Sequence, residues 1–189
     1  AHIKVDIQEL NIDFLAGSGH KLCGPTGIGF LWSKEKILNE IPPFLGGGEM
    51  IEDVFEEKST WAELPHKFEA GTPAIAEAIG LAEALKYIKK IGLNNINNYE
   101  KKITQYLFTH LSNIENLHII GPSPINDQNR ASLAAFYIDD IHSNDIAEIL
   151  DSKGVCIRSG HHCCQPLHRH LGIKSTARVS MNFTTTKEE

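Results

Sequence analysis

Ser143-Asn144-Asp145-Ile146-Ala147-Glu148-Ile149-Leu150-Asp151-Ser152-Lys153-Gly154-Val155-Cys156-Ile157-Arg158 is the stretch on which the fold is read. It predicts a helix from about Ser143 to Lys153, closed by Gly154, because glycine accepts the left-handed conformation that ends helices. Val155 to Arg158 then predicts a short strand. Strands at Leu117 to Ile120 and Ala131 to Ile138 precede it, one or two helical turns at Pro166 to Leu171 follow, and Thr176 to Phe183 predicts a last strand. Further back, a helix from about Asn95 to Ser112 places Ile96, Tyr99, Ile103, Tyr106, Leu107 and Leu111 on one side. Before it, Thr72-Pro73 predicts a helix start with Thr as cap and Pro at the first position. Ile75, Ala78, Ile79, Ala82, Leu85 and Ile88 follow at three- and four-residue steps, and Gly92 stops the helix.

The first part of the chain alternates short apolar segments with glycine loops. Asp13 to Ala16 reads as a strand end, Gly17 to Lys21 as a turn and Gly27 to Trp32 as a strand; Ser33 is expected to cap a short helix over Lys34 to Glu40 that Pro42 and Pro43 end. Gly46-Gly47-Gly48 opens a polar stretch to about Pro65, expected to be an ordered functional loop or hairpin. The expected architecture is α/β followed by α+β: residues 1–92 as the closing part of an α/β domain, residues 93–189 as a small α+β domain.

With 189 residues, 41% hydrophobic and 22% charged, the chain can bury one sizeable core or two small ones and is not a disordered polypeptide. A formal charge of −6, with lysines dispersed among acids, gives no basic field for nucleic acid or an anionic membrane. No apolar run approaches the roughly 18 residues of a membrane span. Four cysteines, at 23, 156, 163 and 164, make no disulfide framework and fit a reducing compartment, so the expected location is cytoplasmic.

Arg158-Ser159-Gly160-His161-His162-Cys163-Cys164 sets thiols among imidazoles and a guanidinium. A cysteine beside cations ionises more readily than a free thiol, and the thiolate is the form that attacks electrophiles or binds metal. Nucleophile and metal ligand are therefore both open. The zinc reading draws on His161, His162, Cys163, Cys164, His168 and His170, but adjacent side chains in extended backbone point to opposite faces, and only Cys164, His168 and His170 have workable separations. A disulfide between Cys163 and Cys164 would be strained. A second constellation, Ser18-Gly19-His20-Lys21, joins a hydroxyl, a flexible backbone and an imidazole to an amine, which suits a phosphate cup beside an amine nucleophile. Glu69-Ala70-Gly71-Thr72-Pro73 adds a second predicted helix start carrying a hydroxyl, which serves either as a cap or as a phosphate site.

Ser-Gly-His-Lys at 18–21, Gly-Pro-Thr-Gly-Ile-Gly at 24–29, Gly-Gly-Gly at 46–48, Phe-Glu-Ala-Gly-Thr-Pro at 68–73, Arg-Ser-Gly-His-His-Cys at 158–163 and Ala-Arg-Val-Ser at 177–180 occur in this order. Together they resemble the cysteine desulfurases of the class V aminotransferase family, and within them the SufS-type, group II branch that also includes selenocysteine lyases. The resemblance implies a fold-type I, pyridoxal phosphate-dependent homodimer. Lys21 would form the Schiff base with pyridoxal 5'-phosphate, Ser18 and His20 would hold its phosphate, and Thr72 would reach the phosphate in the neighbouring subunit. Cys163 would accept sulfur from L-cysteine, Arg178 would grip the substrate carboxylate with Arg158 as a further substrate-binding residue, and Arg158 and His162 would line the same loop and favour the thiolate. The implied product is L-alanine plus a persulfide, passed to a SufE-like acceptor for iron–sulfur cluster assembly in a bacterial cytoplasm or a plastid stroma. Cys164 departs from the small alanine usual in the family and is expected to be an inert small hydrophobe rather than a second site of persulfide exchange.

The family also uses an aspartate, a glutamine, a stacked histidine and a cup threonine that would lie upstream of Ala1. The last residues, Thr184 to Glu189, read as a helix start capped by Thr186. The expectation is a C-terminal fragment, lacking the last helix of the small domain and inactive by itself, whose full-length parent is the enzyme. The competing readings are selenocysteine lyase, on the same motifs, and a zinc-binding interaction module on the histidine-cysteine loop.

Overall fold

The computed structural model describes residues 1–124 and 130–189 and divides into two compact units, Ile3–Gly92 with Ala1, and Leu93–Glu189 with His2. Among the described residues, no helix is long and apolar enough to cross a membrane.

The first unit contains two antiparallel ribbons and two helices. Strands β1 (Phe14–Ser18) and β2 (Gly29–Ser33) pair from Phe14↔Ser33 to Ser18↔Gly29. A 3₁₀ turn over Gly19–Leu22 leaves the end of β1 and closes at Cys23, which takes the left-handed conformation with φ 59°. Helix α1 spans Glu35–Glu40. Its cap position is Lys34 rather than Ser33, which ends β2 with its hydroxyl buried and, among the described residues, unpartnered. The polar stretch after the glycines forms the hairpin of β3 (Ile51–Val54) and β4 (Ser59–Trp61). Helix α2 spans Ile75–Ile91 and ends where expected, Gly92 standing at φ 89° with its N–H donating to the Ile88 carbonyl. Its start differs from expectation: Ala74 is the cap residue and Thr72 lies in the preceding loop, where Gly71 N–H donates to the Gly48 carbonyl.

Inside this unit α2 packs on the 3₁₀ turn at two glycines. A Cβ on Gly80 would come within 3.2 Å of Pro25, and one on Gly24 within 2.9 Å of both the Gly19 carbonyl and the Leu81 side chain. Bare backbone at these two positions lets the helix back directly against the loop that follows Lys21.

The second unit is α+β. Helix α3 (Leu93–Leu111) buries Ile96, Glu100, Ile103, Thr104 and Phe108, so its inner seam is more polar than its apolar residues alone predict, and Tyr99 and Tyr106 stand outside that seam. The Glu100 carboxylate is tolerated at 4% exposure because His2 Nδ1 lies 2.8 and 3.0 Å from its two oxygens. Tyr99 donates to the Thr185 carbonyl at 2.7 Å, which ties the closing residues to α3; no helix forms there, although Thr186 N–H does donate to the Glu189 carboxylate.

Strands β5 (Leu117–Ile120), β6 (Leu133–Ile138), β7 (Arg158–Gly160) and β8 (Thr176–Ser180) form one antiparallel sheet in the order β5-β6-β8-β7. The register Ile119↔Phe136 and Phe136↔Ala177 lines one face with apolar side chains, and Ile146 and Leu150 of helix α4 (Ser143–Asp151) pack on it. Because strand side chains alternate, the opposite face carries Arg158, Arg178 and Thr176. The strand expected at Val155 to Arg158 therefore begins only at Arg158, while Ile157 belongs to the core beneath.

Candidate active site

In the second unit β7 ends at Gly160, with φ 110°, and the chain turns back at once into helix α5 (Gln165–Leu171). The reversal is a tight turn closed by Cys164 N–H on the His161 carbonyl at 2.9 Å, and its two central residues, His162 at φ 52° and Cys163 at φ 61°, are both left-handed. That is the signature of a type I′ turn, normally built from glycine and asparagine. Two side-chain-bearing residues there cost roughly 1–2 kcal/mol each, a strain that persists only where the surroundings hold it. Its effect is to display the Cys163 thiol at the surface, in the wall of an open concavity of about 470 Å³ shared with Arg158, Ser159, His161, His162, Gln165 and Pro166.

Arg158 and Arg178 face each other directly across the β7–β8 pair. Two like charges in register destabilise a strand pair unless an anion lies between them. Arg178 Nε is buried and makes no hydrogen bond among the described residues, an unmet donor on the strand that faces Arg158. A guanidinium pair next to a displayed thiol is a constellation for a carboxylate-bearing substrate that reacts at the sulfur.

His162 behaves differently from the expectation that it supplies positive charge. Burial is the main cause that lowers its pKa below the ordinary 6.5, and the nearby Arg178 and Arg158 charges act in the same direction. The ring is therefore neutral at pH 7. Nε2 donates to the Thr176 carbonyl at 3.1 Å, which leaves Nδ1 as a buried acceptor without a partner among the described residues. Arg158 is the arginine that shares the concavity with Cys163.

His168, read from sequence only as a zinc donor, is instead a buried member of a hydrogen-bond network. It is 5% exposed, with Nδ1 3.0 Å from the Cys164 carbonyl and Nε2 3.1 Å from the Thr176 hydroxyl. The available signal was its i+4 spacing from Cys164, which places it over the turn. The Cys164 thiol donates to the His161 carbonyl at 2.9 Å and lies 3.8 Å from His168 Nδ1. Among the described residues no three histidine, cysteine, aspartate or glutamate side chains converge as metal ligands, so the zinc-module reading has no ligand set.

In the first unit Ser18, His20 and Lys21 follow one another from the end of β1 through the 3₁₀ turn. His20 and Lys21 are exposed, and among the described residues none of the three side chains makes a hydrogen bond or ion pair. Gly19 between them is buried; its N–H donates to the Ile28 carbonyl at 2.8 Å, and a Cβ there would fall 2.7 Å from the Ile28 side chain. An amine, a hydroxyl and an imidazole around a backbone that only glycine can provide form a donor set that fits a phosphorylated aldehyde such as pyridoxal phosphate. Thr72 is exposed on a separate loop.

All of residues 1–189 match the family model described as Aminotransferase class-V. A probable cysteine desulfurase of Synechocystis sp. is 52% identical over 188 residues, covering 100% of this chain and 44% of that protein. Among solved structures, the apo cysteine desulfurase of Thermococcus onnurineus NA1 superposes with a TM-score of 0.93 at 39% identity, over 99% of this chain and 46% of that one. The cysteine desulfurase CsdA of Escherichia coli, in an S-sulfonic acid form, gives 0.91 at 35% identity, over 99% and 45%. The chain thus spans less than half the length of the relatives it matches. Its mixed α/β architecture is that of the corresponding part of a fold-type I pyridoxal phosphate-dependent enzyme, and the chain belongs to the aminotransferase class-V family.

Proposed function

We propose that this chain carries the nucleophile, the cofactor lysine and the substrate carboxylate site of a cysteine desulfurase, which converts L-cysteine to L-alanine and leaves the sulfur as a persulfide on Cys163. The observation that carries this reading is the pairing of Arg178, its Nε unmet among the described residues, with Arg158 beside a strained turn that displays the Cys163 thiol.

Bound at Lys21, pyridoxal phosphate supplies an electron sink that makes the substrate Cα acidic. Ser18 and His20 hold its phosphate, and Thr72 serves the phosphate of a second subunit in a homodimer. Arg178 and Arg158 hold the substrate carboxylate, which turns the substrate sulfur toward Cys163. Lys21 Nζ moves the Cα proton. The Cys163 sulfur attacks the substrate sulfur as the substrate C–S bond breaks; the electron pair stays with the carbon, which takes up a proton as alanine is formed. L-cysteine plus a thiol thus becomes L-alanine plus a persulfide, with no external oxidant or reductant. An exposed persulfide suits handover to a SufE-like acceptor, and the SufS-type motifs support a role in iron–sulfur cluster assembly in the cytoplasm.

The test uses the protein at the length of its relatives. Lys21→Ala is expected to abolish the yellow absorbance of the bound cofactor. Cys163→Ala is expected to keep the colour and lose sulfur release from L-cysteine by at least about a hundredfold, as for removal of a covalent nucleophile. Normal sulfide release by Cys163→Ala would overturn the reading.

A further inference from the structure

The turn that displays Cys163 has nothing in its own sequence to make it stable: neither central residue is glycine or asparagine, and both stand at positive φ. Beyond the Cys164 N–H and S–H on the His161 carbonyl, what holds it lies outside the turn. The Cys164 carbonyl can only accept, so His168 Nδ1, 3.0 Å away, carries the ring proton. Nε2 is then the lone pair, and it accepts from the Thr176 hydroxyl at 3.1 Å. The carbonyl of the same Thr176 accepts from His162 Nε2, again at 3.1 Å. One strand residue, 2% exposed, thereby grips both sides of the turn: His162 directly, and Cys164 through His168. An imidazole is suited to this link because a neutral ring donates at one nitrogen and accepts at the other.

We propose that His168 is a positioning residue for sulfur transfer: with Thr176 it locks the left-handed backbone at His162-Cys163 and so fixes the direction in which the Cys163 sulfur leaves the surface. It touches neither substrate nor cofactor. The inference rests on Cys163 as the sulfur acceptor. His168 acts after the carboxylate is bound, so its loss lowers the rate of sulfur transfer and leaves substrate binding intact.

The experiment compares Cys163→Ser, His168→Leu, His168→Asn and Thr176→Val in the full-length, cofactor-loaded protein. It measures kcat and KM for L-cysteine, the cofactor absorbance, and hydrogen exchange of the Cys164 amide that closes the turn. His168→Leu is expected to lower kcat about 10- to 100-fold with KM within about twofold and the cofactor colour unchanged, and to speed exchange at Cys164. His168→Asn, which keeps a donor where Nδ1 stands, is expected to recover most of kcat and of the protection; Thr176→Val is expected to lose part of both. Wild-type kcat or unchanged Cys164 exchange in His168→Leu overturns the proposal. So does a kcat loss accompanied by loss of the cofactor colour that His168→Asn fails to restore, since that reports general collapse. The Cys163→Ser arm separates the two claims: if it stays active, the desulfurase reading fails, whereas if it is dead and His168→Leu is normal, only the positioning role fails.

Discussion

Cys163 shows how a residue's chemistry is set by what surrounds it. The sequence places two histidines and an arginine near the thiol, and a count of nearby cations would include His162. Partial burial lowers the pKa of that ring, and Arg158 is the arginine that shares the thiol's concavity. This has a consequence for stability with a definite sign. A histidine whose folded pKa lies below its unfolded value takes up protons more readily in the unfolded chain, so stability is full above about pH 6.5 and is lost as pH falls through the window below it. The urea midpoint is expected to fall between pH 7.5 and 5.5, and His162→Gln, which cannot titrate, is expected to show a shallower fall. Equal slopes in the two proteins would count against a His162 that stays neutral in the fold. Cys164, one residue on, donates its S–H to the His161 carbonyl at 2.9 Å, which fits the proposed reading of it as a thiol apart from the sulfur transfer.

At the scale of elements, the start of α4 at Ser143 and the end of α2 at Gly92 match the local pattern, whereas α4 ends at Asp151, with Ser152 as its cap, before the expected Lys153 and Gly154, and the cap expected at Thr72 fails. Gly92 ends α2 and Gly172, at φ 70°, ends α5, because the left-handed end of a helix is a local backbone requirement that glycine meets cheaply. Thr72 and Ser33 look like caps by residue type, yet neither caps a helix: one lies in a loop held by Gly71 and Gly48, the other is used up by the end of β2. The 3₁₀ turn bearing Lys21 depends on Gly19 in the same local way. Gly19→Ala puts a Cβ 2.7 Å from Ile28 Cγ2 and 2.9 Å from the Ile28 carbonyl, and is expected to cost about 1–3 kcal/mol from overpacking. The displaced turn should also bind pyridoxal phosphate more weakly, as read by a cofactor titration alongside thermal unfolding. Unchanged affinity and unchanged melting would show that the loop accommodates the methyl.

At the scale of the whole molecule, the second unit is organised by one sheet whose two faces do different work. Phe136, 4% exposed and in register with Ala177, centres the face covered by α4, and the arginines occupy the other. Phe136→Ala is expected to cost about 3–5 kcal/mol. Hydrogen exchange should quicken across residues 93–189, where that core lies, and stay unchanged in residues 3–92; acceleration spread equally over both would show that the units do not open separately. Much of this protein was written locally. The motifs around Lys21 and Cys163, the strand and helix order of residues 117–180 and the ends of α2 and α5 follow from residue type and spacing, because turns, periodicity and close backbone approach are decided within a few residues. The pairing of Arg158 with Arg178, the neutral His162 and the service of His168 to the turn were decided only by the fold. Each depends on register across β7 and β8 or on contacts with Thr176, set by partners 8 to 20 residues away along the chain, which no local pattern encodes.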